Sequence, residues 1–87
     1  MKDETRYLNL PNVERAGEMT LISVSLIKSI SEPDSTIVTY VTTGEVADID
    51  PSKYCEIFMN FNDISYIVPL SVKEMIQLIN SDARYYS

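Results

Sequence analysis

The chain has no histidine and no tryptophan, a single cysteine, and only two glycines, Gly17 and Gly44, in 87 residues. Each scarcity excludes something. Without histidine there can be no Ser–His or Cys–His nucleophile pair, and the commonest metal ligand is missing. One cysteine, Cys55, cannot form an internal disulfide, and with no histidine beside it a structural zinc site is implausible. Two isolated glycines leave no Gly-rich loop to cradle phosphates. No run approaches the ~20 apolar residues of a membrane span. The opening Met-Lys-Asp-Glu-Thr-Arg has no apolar core for a signal peptide. These readings lead to the expectation of a cytoplasmic, non-enzymatic protein without cofactor or metal.

Cations are also scarce, and unevenly so. The net charge is −6. Residues 1–31 balance Asp3, Glu4, Glu14 and Glu18 against Lys2, Arg6, Arg15 and Lys28. Residues 64–87 balance Glu74 and Asp82 against Lys73 and Arg84. The whole excess lies in 32–63, where Glu32, Asp34, Glu45, Asp48, Asp50, Glu56 and Asp63 face Lys53 alone. Phosphate backbones need a basic stripe, so direct nucleic-acid binding is disfavoured and a basic protein partner is the better match. The competing reading is that wet turns and loops simply carry charge.

What is present suits one small domain over 1–87, with residues 1–5 and 84–87 expected as flexible tails. The hydrophobic fraction is 45% and the charged fraction 23%, ordinary for a globular chain. The stretch 19–43 is its organising segment, apolar and β-branched, broken once by Glu32-Pro33-Asp34-Ser35. That tetrapeptide has proline where a type I turn wants it. Two strand segments flank it. In the first, the alternation loses phase near Val24–Ser25, which a bulge or a single turn would absorb. A helix over 21–30 is the competing reading there, disfavoured by its β-branched residues and serines. In the second, Thr36–Thr43, the alternation puts Ile37, Thr39 and Val41 on the expected core face and Val38 and Tyr40 opposite.

Arg6–Leu10 reads as a short strand with Leu8 and Leu10 on one face, stopped by Pro11-Asn12. Residues 45–54 form the longest expected loop, with Asp50-Pro51-Ser52 as its turn. Cys55–Phe61 alternates cleanly, with Cys55, Ile57, Met59 and Phe61 on one side. Asn62-Asp63 predicts a two-residue hairpin turn, and Ile64–Val68 returns until Pro69. Ser71-Val72-Lys73-Glu74 is a capping box, followed by Val72, Met75, Ile76 and Ile79 at helical spacing, a single buried stripe ending at Asn80 or Ser81. The fold class is therefore α+β: a small antiparallel sheet or roll of about five strands with one C-terminal amphipathic helix.

Few groups carry chemistry. Asp48, Asp50 and Ser52 have the spacing of a calcium loop's first ligands, but Lys53 and Met59 stand where that loop needs glycine and glutamate. Cys55, in phase with Ile57 and Met59, reads as a small buried hydrophobe. The tyrosines, Tyr7, Tyr40, Tyr54, Tyr66, Tyr85 and Tyr86, suit interfaces. With Val38, Tyr40 and Phe58 opposite the expected core, more apolar surface exists than one helix covers. Tyr40, Glu45, Asp48, Asp50, Tyr54 and Phe58 are thus the expected partner-binding set. The partner is expected to be a protein, with a homo-oligomer or a nucleotide- or metabolite-sized ligand as the alternatives.

One family comparison can be made. Ser25-Leu26-Ile27-Lys28-Ser29-Ile30, then Glu32-Pro33-Asp34-Ser35-Thr36-Ile37-Val38-Thr39 and Thr43-Gly44, resembles the FlbD family of small flagellar and swarming-motility proteins. Tyr66-Ile67-Val68 followed by Ser71–Met75, Ile76 and Ile79 is similar to that family's closing strand and helix. The likeness covers about a third of the chain, and residues 45–64 are inserted relative to the family. The resemblance implies a small accessory or regulatory protein without catalytic residues.

Overall fold

A computed structural model describes residues 7–15, 18–61 and 63–81. The expected tails at 1–5 and 84–87, Gly17, Tyr85 and Tyr86 lie outside the described residues.

Alternating side chains build strands wherever one face can be buried, and among the described residues seven do so. They are β1 (Tyr7–Pro11), β2 (Met19–Ser23), β3 (Ile27–Ser31), β4 (Ile37–Thr39), β5 (Val46–Asp48), β6 (Cys55–Met59) and β7 (Ser65–Val68), followed by helix α1 (Val72–Asn80). They form three small antiparallel sheets: β1–β2, the three-stranded β3–β6–β7, and β4–β5. The α+β class expected from the sequence is the class observed. The strands outnumber the expected five for two reasons. The organising stretch splits at a 3-10 turn over Val24–Leu26, where the alternation loses phase, and its two halves join different sheets. The long loop at 45–54 holds a further strand, β5, before a 3-10 turn at Pro51–Lys53.

One core joins the main elements. Leu8 and Leu10 of β1, Ile22 of β2, Cys55, Ile57 and Met59 of β6, Val68 of β7 and Met75 of α1 are its buried members. Burying a side chain such as Leu or Ile is worth about 1.5–3 kcal/mol. The period of two works as expected on β1 and β6: every second residue is buried and the intervening ones meet solvent. Helix α1 starts from the capping box read in the sequence. Ser71 Oγ accepts the Glu74 N–H at 3.1 Å, and Glu74 Oε1 accepts the Ser71 N–H at 2.9 Å.

Five local expectations are corrected. Val38 is the buried residue of β4, at 2% exposure, whereas Ile37 and Val41 stand at 51% and 60%. The core face of that strand is therefore the opposite of the one expected. Both faces are apolar, and alternation alone does not say which turns inward. The strand also stops at Thr39, because Val41–Thr43 is already turn. Phe61 lies beyond the end of β6 and is exposed. The β6–β7 hairpin forms, but Met59 N–H bonds Ile64 C=O at 3.2 Å, so four residues rather than two make the connection. On α1, Ile76 is exposed and Leu78 joins Val72, Met75 and Ile79 against the core.

The sheets are stitched by loop backbone. Asn12, the buried polar residue at the β1–β2 connection, turns the chain. Its Oδ1 accepts the Glu14 N–H at 3.0 Å, and its Nδ2 donates to Thr20 Oγ1 at 2.9 Å. The shaped connection then reaches two neighbours. Val13 N–H donates to Ile67 C=O of β7 at 2.9 Å, and Glu14 C=O accepts the Val41 N–H at 2.6 Å.

Candidate functional site

The β4–β5 hairpin is one place where the sequence spends apolar residues on water; β2, with Met19 and Leu21, is another. The β4–β5 hairpin is entered through Glu32-Pro33-Asp34-Ser35, in which Pro33 is buried. Ser35 Oγ then accepts the Ile37 N–H at 3.0 Å, as serine does when it starts a turn. At the far end, Gly44 N–H bonds Tyr40 C=O and Tyr40 N–H bonds Glu45 C=O, both at 2.8 Å. Gly44 closes this turn with φ at +75°, a conformation that side chains with a Cβ resist.

Register then sorts the faces. Ile37 lies opposite Asp48, Val38 opposite Ala47, and Thr39 opposite Val46. Val38 is buried and Ala47 half-buried, so Ile37, Thr39, Val46 and Asp48 share the outer face. Val46 is 63% exposed. Ile37, Val41 and Val46 thus meet solvent on one short hairpin beside the Glu45 and Asp48 carboxylates, which are exposed too. There is no Lys or Arg between Lys28 and Lys53.

The expected site residues divide. Tyr40, Glu45 and Asp48 are brought together on this hairpin. Asp50 follows β5 directly, but its carboxylate is engaged: Oδ1 accepts the Ser52 N–H at 3.1 Å and the Ser52 hydroxyl at 2.8 Å. Those hydrogen bonds, with Lys53 adding to them, hold the Asp50 pKa below the usual carboxylate value. Tyr54 is half-buried and ends the 3-10 turn, its N–H bonding Pro51 C=O at 3.2 Å. Phe58 belongs elsewhere. It sits half-buried on the outer face of β6, between Ser29 of β3 and Ser65 of β7, beside a small cavity of about 270 Å³ shared with Lys28 and Asp63. Val38, expected on an exposed face, is part of the interior.

Two features escaped the sequence reading. The first is the exposed trio Ile37, Val41 and Val46. Asp48 was the available signal, because a carboxylate in phase with Val46 marks that face as wet. The second is an open groove of about 590 Å³ along the first turns of α1, with Val72 and Ile76 as its apolar floor and Glu32, Ser52 and Lys73 at its rim.

Chemically these surfaces are bland. Cys55 is fully buried, and burial pushes its thiol up to about 11, so it is neutral and poorly nucleophilic near pH 7. Among the described residues, no three of His, Cys, Asp and Glu lie together where they could hold a metal ion. Among the same residues, no helix is long and apolar enough to cross a membrane. No protein-family model, curated protein or solved structure matches this chain.

Proposed function

We propose that this chain is a small acidic regulatory or inhibitory module without catalytic activity, acting by occupying a protein partner that presents a basic surface. A phage-type inhibitor of a bacterial protein is one form such a module takes. The observation that carries this reading is the outer face of β4–β5. Ile37 and Val46 stand there in water, with Val41 exposed in the turn beyond, within a segment whose charges are all negative from residue 29 to residue 52. Single exposed apolar residues are ordinary, but a group of them on one small hairpin marks a contact surface. The surrounding carboxylates would steer a basic partner and reject an acidic one. The resemblance to the FlbD family, whose members are small and accessory, favours the same reading.

The test compares the wild-type chain with a variant carrying Glu45→Lys, Asp48→Lys and Asp50→Lys. Each is immobilised and exposed to the same lysate. Basic proteins held by the wild type, released by salt and absent from the variant support the proposal. An identical retained set on both overturns it. Circular dichroism of both chains shows that the fold is kept.

The groove along α1 favours a second reading, an oligomer that binds a nucleotide or metabolite. Its volume of about 590 Å³ falls within the range of small-molecule sites. Lys73 is the one cation on its described lining, which weakens the case for phosphate. A thermal-shift screen with nucleotides, read beside native mass spectrometry, separates this reading from the first.

A further inference from the structure

In an antiparallel pair, successive residues of a strand aim their backbone groups alternately at the partner strand and away from it. On β4–β5 the Tyr40 N–H bonds Glu45 C=O, and the Ile49 N–H bonds Thr36 C=O. Both pairs fit the register that sets Val38 opposite Ala47. Glu45, Ala47 and Ile49 therefore aim at β4. Val46 and Asp48 aim the other way, and no hydrogen bond from a described residue reaches their backbone groups.

The outer edges of β4, β7 and β3 are engaged or guarded in part, while Met19 and Leu21 of β2 also aim backbone groups away from their partner strand. On the outer edge of β4, the Ile37 N–H is taken by Ser35 Oγ and the Val41 N–H by Glu14 C=O. On β7, Ile67 C=O accepts from Val13. The outer strand β3 carries a register shift between Ile27 and Ser29, at the exposed Lys28. A bulge and an edge lysine are two devices that discourage pairing. The β5 edge has neither.

We infer that the β5 edge, Val46–Asp48, is a template for strand addition by an extended segment of a basic partner protein. That segment would place a Lys or Arg beside Asp48 and a β-branched residue beside Val46. The inference rests on the partner-binding reading above and names how the partner is held. Backbone pairing supplies the attachment, and side chains at alternate positions supply the selectivity. The charge pattern chooses the occupant. Asp48 projects from the same face as Val46, Glu45 and Asp50 flank the edge, and no cation lies between Lys28 and Lys53. A second copy pairing at this edge would set these carboxylates against one another, which opposes self-association. A basic strand meets only opposite charge.

The test uses the peptide Thr-Val-Thr-Lys-Thr-Val-Thr-Lys and a twin with the same side chains but N-methyl groups on alternate backbone nitrogens. Amide exchange of the full chain is followed by NMR. The inference expects the first peptide to slow exchange at Val46 and Asp48 by about tenfold or more, and expects no protection from the twin. It also expects Val46→Pro, which removes an outward N–H and leaves the β4–β5 ladder intact, to abolish the effect while the remaining spectrum is kept. Absence of protection with the first peptide at millimolar concentration overturns the inference. Equal binding of the twin overturns it too, but leaves charge-led partner binding standing. Protection that grows with protein concentration and needs no peptide assigns the edge to a second copy, and overturns it. If lysine reversal of Glu45, Asp48 and Asp50 leaves peptide binding unchanged, the acidic-face reading falls with it.

Discussion

Asn12 reaches diagonally across the β1–β2 hairpin to Thr20, its side-chain N–H donating to the Thr20 hydroxyl at 2.9 Å. Asn12 also shapes the connection that reaches β7 through Val13 and the β4–β5 hairpin through Glu14. Removing the acceptor with Thr20→Val leaves a buried donor unmet, at a cost of about 1–3 kcal/mol. Asn12→Ala should cost at least as much, because the Glu14 N–H loses its partner as well. Urea unfolding of the two single variants and the double variant measures the coupling. A coupling near zero would mean that the pair does not act as a unit.

Gly44 is in the left-handed region, and a Cβ placed there would meet nothing within 4 Å. The cost of Gly44→Ala is therefore conformational, about 1–2 kcal/mol, with no steric part. Gly44→Asn should cost less, because asparagine visits this region more readily. Thermal unfolding of both variants checks the order.

On α1 the two neighbouring apolar residues should behave oppositely. Met75 is fully buried and Ile76 is 45% exposed. Met75→Ala should lose about 2–5 kcal/mol, and Ile76→Ala should stay within about 0.5 kcal/mol of wild type. Ser71→Ala, which breaks the cap, should fall between them at about 1 kcal/mol. Equal losses for Met75 and Ile76 would show that the helix is rotated from the position described.

Cys55 gives a pH signature. Its ordinary value is 9.0, and burial raises it to about 11 in the folded chain. Between these values the unfolded chain releases the thiol proton and the folded chain keeps it, so the folded state binds more protons. Stability should therefore decline as pH rises from about 9 to about 11. The slope should be shallower in Cys55→Ala, which removes the thiol's contribution. The native thiol should also resist alkylation at pH 8, and urea should make it reactive.

Local chemistry was legible in the residues, while the choice between two similar faces was not. Ser71 with Glu74 is a short-range pairing whose geometry follows from spacing, and it forms as read, as does the turn at Asp50-Pro51-Ser52. The alternation of Cys55, Ile57 and Met59 named a core face because its other side carries Glu56 and Asn60. On β4 both sides are apolar. What buries Val38 rather than Ile37 is the pairing with Ala47 and Asp48, residues that sequence reading left in a loop. The same omission hid the edge of β5. Of the expected site residues, Tyr40, Glu45 and Asp48 converge because one hairpin carries them. Phe58 stays apart because it belongs to a different sheet, and sheet membership depends on contacts far apart in sequence.

The principal core draws no residue from 31–54. Val38 and Ile49 are buried outside that cluster. That segment meets the rest of the chain through links such as the Val41 N–H to Glu14 C=O bond rather than through the principal core. Changes of side chain on the hairpin's outer face therefore leave the principal core as it is, a variable tip on a fixed handle.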